Sequence, residues 1–195
     1  MTNFTAFDRF LKDQLIIGLF IQCTWALVSP LIMKLQGMLW TTTYLSVYLL
    51  LMRMSGLIIP YFKGTHIKRS YQCIIFLNIL YLVATSLYFY DQMLFLYAET
   101  FLAIFFCINS QVLGIGWDVY VVEKYEKQIF ENFKYCAAFR DGLGGIGGHL
   151  IVIGIFSILD EQQSMFLFVT LMFIVLMLQF YNYFVHYRQM QNNNL

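Results

Sequence analysis

MFLFVTLMFIVLMLQFYNYFVH, residues 165–186, is a run of 22 residues without one Asp, Glu, Lys or Arg. As an α-helix it would be roughly 33 Å long, about the depth of a bilayer's hydrocarbon core. Its apolar residues do not gather on one face, which suits a helix with lipid on one side and other helices on the other. Five earlier blocks have the same character: residues 14–33, 39–62, 71–90, 93–122 and 134–159. The reading is an all-α, polytopic membrane helix bundle of about six transmembrane helices, forming one domain over residues 1–195.

Composition agrees. Of 195 residues, 60% are hydrophobic and only 12% charged, with a mean hydropathy of +0.67. A soluble domain of this length needs far more charge to cover its surface. The net charge of +1 offers nothing to a nucleic acid. Cys23, Cys73, Cys107 and Cys136 lie far apart without a CxxC pair, so neither a metal site nor a disulfide framework is expected. The polar N-terminus leads into an apolar run of spanning length, and the first block reads as a retained span, not a cleaved signal.

The connections set the orientation. Those after blocks one, three and five are short, whereas those after blocks two and four are basic. Arg9, Lys12, Lys63, Lys68, Arg69, Lys124, Lys127, Lys134 and Arg188 all fall on one side. The other side has Lys34 against Asp91, Asp160 and Glu161. Lys and Arg favour the cytoplasmic face, so both termini are placed in the cytoplasm of a multi-pass cell-membrane protein. Trp40, Tyr61, Tyr88, Tyr90, Trp117, Tyr181 and Tyr183 fall near block ends, where aromatic belts form.

Charges inside the blocks are the candidate functional groups. Arg53 lies about nine residues, roughly 13 Å, inside block two. An arginine so deep needs a partner or water, and Asp118 and Asp141 are the carboxylates on its side. Glu99, six residues into block four, is the kind of buried carboxyl that can carry a proton. Arg140 and Asp141 open the apolar part of block five. Gln22, Trp25, Asn78 and Asn109 are polar groups suited to contacts between helices.

The densest motif is Gly142-Leu-Gly-Gly-Ile-Gly-Gly148. It contains GxGxxG, but no strand precedes it, so a dinucleotide cofactor is not implied. Gly144 and Gly148, four apart on one face, suit close helix packing. His149 reads as a packing or hydrogen-bonding residue. No cofactor and no metal is expected.

The layout resembles the N-terminal six-helix half of a major facilitator superfamily transporter. The loop after the second span in that family carries a G-x-x-x-D-R-x-G-R-R type signature. Here Gly56-Leu-Ile-Ile-Pro-Tyr-Phe-Lys-Gly-Thr-His-Ile-Lys-Arg69 keeps the leading glycine, Gly64 and the closing basic pair Lys68 and Arg69, but not the aspartate. Gly114-Ile-Gly-Trp-Asp118, a charged linker and a glycine-rich helix follow similarly. The resemblance implies transport or export of a small molecule or peptide, with a second copy or another six-helix subunit completing the cavity. A local resemblance, Gly64-Thr-His66 through Cys73, is to the G-x-H-x-x-x-x-x-x-C segment of accessory gene regulator B peptidases. It implies an enzyme with a Cys73 nucleophile and a His66 base, processing a signalling peptide. A third possibility is a non-catalytic accessory or immunity protein in the membrane. Of these, the non-enzymatic transporter-like half is the reading adopted. On it, Arg53, Glu99, Asp118, Arg140 and Asp141 are the substrate or gating candidates.

Reporter fusions after Lys68 and Lys127 are expected to report the cytoplasm, and fusions after Asp91 and Asp160 the opposite side. The reversed pattern would overturn the orientation.

Overall fold

In a computed structural model of the protein, the described residues are 7–27, 34, 37–39, 42–43, 45–47, 49–50, 53–54 and 67–188. Most of the second expected span, and His66 with it, lies outside them. All regular structure among the described residues is helical.

Five long helices carry the fold: α1 (Arg9–Trp25), α2 (Ile67–Ser86), α3 (Gln92–Lys124), α4 (Lys127–Ile151) and α5 (Glu161–Asn182). A short 3-10 turn, Leu87–Phe89, follows α2, and π turns at Val152–Phe156 and Tyr183–Tyr187 extend α4 and α5. The acidic residues that served only as a charge count in the sequence turn out to start helices. Asp8 accepts from the Leu11 N–H at 2.9 Å. Asp91 accepts from the N–H groups of Met93 and Leu94 at 2.8 and 3.1 Å. Asp160 forms a capping box with Gln163. Each satisfies donors that the first helical turn leaves free, worth roughly 1 kcal/mol apiece.

One boundary needs correction. The stretch before Lys134 was expected to be a charged linker, yet α4 begins at Lys127, and only Tyr125 and Glu126 separate it from α3. The added turns bind through aromatic contacts rather than an apolar run. Phe133 packs 4.9 Å from Trp117 of α3 and 6.0 Å from Phe7, centre to centre. Tyr125 hydrogen-bonds to Asp8 across the link. Burial, then the Asp8 carboxylate, pushes the Tyr125 phenol above its usual range.

Contacts fix the helix directions. Arg140 of α4 meets Gln14 and Gly18 of α1, Gly144 meets Gln22, and Gly148 meets Ala26, so α1 and α4 run parallel. Asn78 pairs with Gln179 and Tyr71 with Asn182, so α2 is antiparallel to α5. Thr85 meets Glu99 and Ser70 meets Asn109, so α2 and α3 form an antiparallel hairpin. Trp25 and Ile67 therefore stand at opposite ends of the bundle. The same directions bring Arg9, Lys12, Lys68, Arg69, Lys124, Lys127 and Arg188 to one end, and Asp91, Asp160 and Glu161 to the other. Lys34, at that second end, donates to the Leu159 carbonyl and to Ser164 Oγ, the latter at 3.0 Å.

Two apolar clusters fill the interior. Tyr81, Phe95, Met165 and Phe168 belong to the one at the acidic end, and Phe10, Leu11, Val121 and Tyr187 to the one at the basic end. The outer surface is apolar too: Phe76, Phe101, Phe139, Ile146, Phe166 and Phe184 are all exposed. Among the described residues, two stretches are long and apolar enough to cross a bilayer, Ile67–Phe89 and Glu161–Tyr187. They correspond to the third and sixth expected spans.

The α1–α4 contact is the tightest in the bundle. A Cβ on Gly144 would lie 2.6 Å from Gln22 Cβ and 3.0 Å from the Leu19 carbonyl oxygen. One on Gly148 would lie 2.6 Å from the Cys23 carbonyl oxygen and closer still to Ala26 Cβ. Backbone atoms cannot swing aside, so Gly148→Leu should cost about 3 kcal/mol or more. The melting temperature of the purified chain should fall by roughly 6 to 12 °C. Gly142 has nothing within 4 Å of its virtual Cβ, so Gly142→Ala should be neutral or stabilising by up to about 1 kcal/mol. Equal melting temperatures for both variants would contradict this packing.

Candidate functional site: a charge-bearing cavity in the bundle

The glycine face of α4 draws one side of that helix onto α1 and leaves the adjacent side looking inward. On it, Lys134, Ala137, Ala138 and Asp141 follow one another at helical spacing. With Gln14 and Gln22 of α1, Asp118 of α3, and Gln179 and Asn182 of α5, they line a cavity of about 620 Å³. The lining from α2, α3 and α5 comes from the turns nearest the basic end.

Arg140 is the best-fixed charge in this wall. Its guanidinium lies where a Cβ on Gly18 would be, 2.5 Å from Cζ, so that glycine makes its room. Nε donates to Asp141 Oδ1 at 2.8 Å, Nη2 approaches the same oxygen at 2.6 Å, and Nη1 donates to the Gln14 carbonyl at 3.1 Å. Lys134 pairs with Asp118 at 2.5 Å, joining α4 to α3. Both partners of that second pair are nearly half exposed, and such pairs add only about 0–1 kcal/mol to stability. The pair is therefore not locked into the fold. Among the described residues the cavity's four charges sum to zero, two acidic and two basic.

An amide network forms part of the cavity wall. Gln14 Nε2 donates to Asn182 Oδ1 at 2.8 Å, and Asn182 Nδ2 donates to the Tyr71 hydroxyl at 2.8 Å. Tyr71 stacks on Tyr187 with centres 4.0 Å apart. Further in, Asn78 Nδ2 donates to Gln179 Oε1 at 2.6 Å, while Asn78 Oδ1 is buried without a hydrogen-bond donor. Below the cavity, Asp13 accepts from Tyr181 at 3.2 Å and contacts His186 Nε2 at 2.8 Å.

The sequence candidates separate into groups. Asp118, Arg140 and Asp141 line the cavity together. Arg53 does not: it is exposed, and the carboxylates expected beside it are held by Lys134 and Arg140 instead. Arg140 and Asp141 pair with each other, because adjacent side chains on one helix need no approach of a second. Glu99 lies at the α2–α3 contact, 3% exposed, away from the cavity. Gly144 and Gly148 are the α1 contact described above. Cys73 is an exposed free thiol on α2, and the geometry of His66 lies outside the described residues. His149 back-bonds to the Gly145 carbonyl at 2.7 Å, and Asn109 donates to the Ser70 carbonyl at 2.9 Å.

Three functional groups were not singled out from the sequence: Gly18, the Gln14–Asn182–Tyr71 network and Thr85. A signal for part of it exists, since Tyr71, Asn78 and Thr85 recur every seven residues and so form one stripe on α2. Among the described residues, no group of His, Cys, Asp and Glu could hold a metal ion. Comparison with known protein families, with curated proteins and with solved structures finds no match. The class defined by fold and site is thus an all-helical bundle with a charged cavity inside and an apolar exterior.

Proposed function

We propose that the chain is a six-span membrane protein that binds and moves a small polar or charged solute, as a half-size, facilitator-like transporter. The observation that carries the reading is the cavity: about 620 Å³ of space within helices whose outer faces are Phe, Ile and Leu, its mainly apolar wall set with two acidic and two basic side chains. That volume is of the size that holds small-molecule ligands. Large exposed apolar surface on all sides suits lipid rather than water.

The helix directions support the span count. Trp25 and Ile67 end up at opposite ends of the bundle, and one further crossing between them completes a six-span path with both termini on the basic side. That side is then cytoplasmic, and the cavity belongs to the cytoplasmic half. Apolar length in the remaining spans is visible in the sequence. Residues 14–33 contain no Asp, Glu, Lys or Arg, 39–62 contain Arg53 alone, 93–122 contain Glu99 and Asp118, and 134–159 contain Lys134, Arg140 and Asp141, all before the glycine run. Arg140 and Asp118 are the groups proposed to meet the solute, Arg140 from its fixed place in the wall and Asp118 by exchanging Lys134 for a ligand charge. A second copy, or another six-helix subunit, would cover the open side of the cavity and complete a two-sided pathway.

The experiment is flux of radiolabelled amino acids, dipeptides and organic ions into membrane vesicles containing the chain. Arg140→Ala should lower the flux at least tenfold with insertion and yield unchanged. Arg53→Ala, outside the cavity, should keep at least half. No flux above empty vesicles for any solute, or wild-type flux in Arg140→Ala, would remove this reading.

A further inference from the structure

Thr85 sits between two acceptors. Its Oγ1 is 2.7 Å from the carbonyl oxygen of Tyr81, one turn back on α2, and 2.8 Å from Oε1 of Glu99 on α3. A threonine hydroxyl has one proton and two lone pairs. If that proton serves the Tyr81 carbonyl, the contact with Glu99 is attractive only when the carboxyl supplies a proton of its own. If it serves an ionised Glu99 instead, the Tyr81 carbonyl is left 2.7 Å from an oxygen lone pair. One arrangement satisfies both contacts: Glu99 O–H donates to Thr85 Oγ1, and Thr85 O–H donates to the Tyr81 carbonyl.

The surroundings favour the same state. Glu99 is 3% exposed, Tyr81 1% and Thr85 0%. Phe95 and Leu102, one turn either side of Glu99 on α3, belong to the apolar cluster that holds Tyr81, Tyr88 and the α5 residues Phe168 and Met172. The titratable side chains of that cluster are the phenols of Tyr81 and Tyr88. Beyond Tyr88 stand Asp160 and Glu161, both acidic. Among the described residues no Lys, Arg or His is ion-paired with Glu99. An ionised carboxylate buried without a cation is costly, and a neutral one is not.

We propose that Glu99 is a proton-binding site, whose carboxyl is held neutral between α2 and α3 and gives its proton to water when α3 shifts on α2. The step is a simple acid dissociation: the O–H bond breaks, the electron pair stays on Oε1, and the proton leaves to solvent. Resting on the transport reading above, it makes Glu99 the group through which a proton gradient acts on the bundle. The site is distinct from the cavity and would load a proton, not the solute.

The test is infrared spectroscopy of the full chain in lipid at neutral pH, which requires no solute. The wild type should show the carbonyl stretch of a protonated carboxyl, and Glu99→Gln should remove it while keeping the wild-type melting temperature, since an amide can donate to Thr85 from the same place. Thr85→Val, which deletes the acceptor, should move the band to higher frequency. Absence of the band from the wild type, its persistence in Glu99→Gln, or an unmoved band in Thr85→Val would each overturn the proposal. A failed flux assay bears on the transport reading alone, because the band is read without transport.

Discussion

Backbone-to-backbone contact between α1 and α4 is the constraint on which the bundle depends. Gly144 and Gly148 remove the side chains that would hold the two helices apart, and Gly18 opens the notch that takes the Arg140 guanidinium. Close approach of this kind gains dispersion contacts that do not depend on excluding water, the form of stabilisation available to helices in lipid. It also sets the rotation of α4. With its glycine face committed to α1, the side carrying Lys134 and Asp141 turns toward α3 and the interior. The cavity and its charges thus follow from where four-residue glycine spacing falls on one helix.

The polar groups divide along the bundle axis by their access to water. Near the basic end, the Asp118–Lys134 and Arg140–Asp141 pairs border open space and are only partly buried. Toward the acidic end, Asn78, Thr85 and Glu99 are packed among aromatic and aliphatic side chains. The first set can reach water. The second must find partners within the protein, which leaves few arrangements of protons that satisfy every oxygen. A stripe on α2 connects the two sets, with Tyr71 facing the cavity network, Asn78 reaching Gln179, and Thr85 reaching Glu99.

How much of this was legible in the sequence depends on the kind of information. Helical character was visible in the apolar blocks, and the gathering of Lys and Arg at one end was visible in the alternation of basic and short loops. The glycine spacing marked a packing face, but not that α1 is its partner. Partners of charges could not be read, because depth along a helix says nothing of its rotation: Arg53 and Asp118 were expected at one depth, yet Asp118 lines the cavity and Arg53 does not. The start of α4 was missed for a related reason. Residues 127–133 are charged enough to look like a loop, yet Phe130 and Phe133 give them an apolar side, and Lys127 and Glu131 pair one turn apart at 3.7 Å. Helix caps were hidden inside the charge count, since an aspartate in a short connection serves orientation and helix initiation alike.

The most direct measurement is a disulfide across the α1–α4 contact. A Cβ on Gly147 would lie 3.8 Å from Cys23 Sγ, within about 1 Å of the Cβ-to-sulfur separation across a disulfide, a gap that rotation of the Cys23 side chain can close. Mild oxidation of the Gly147→Cys variant in native membranes should link the new thiol to Cys23 within one chain, and peptide mass analysis should find the bond only while Cys23 is intact. If both thiols remain free to alkylate after oxidation, α4 does not lie against α1, and the cavity built on that contact does not exist as described.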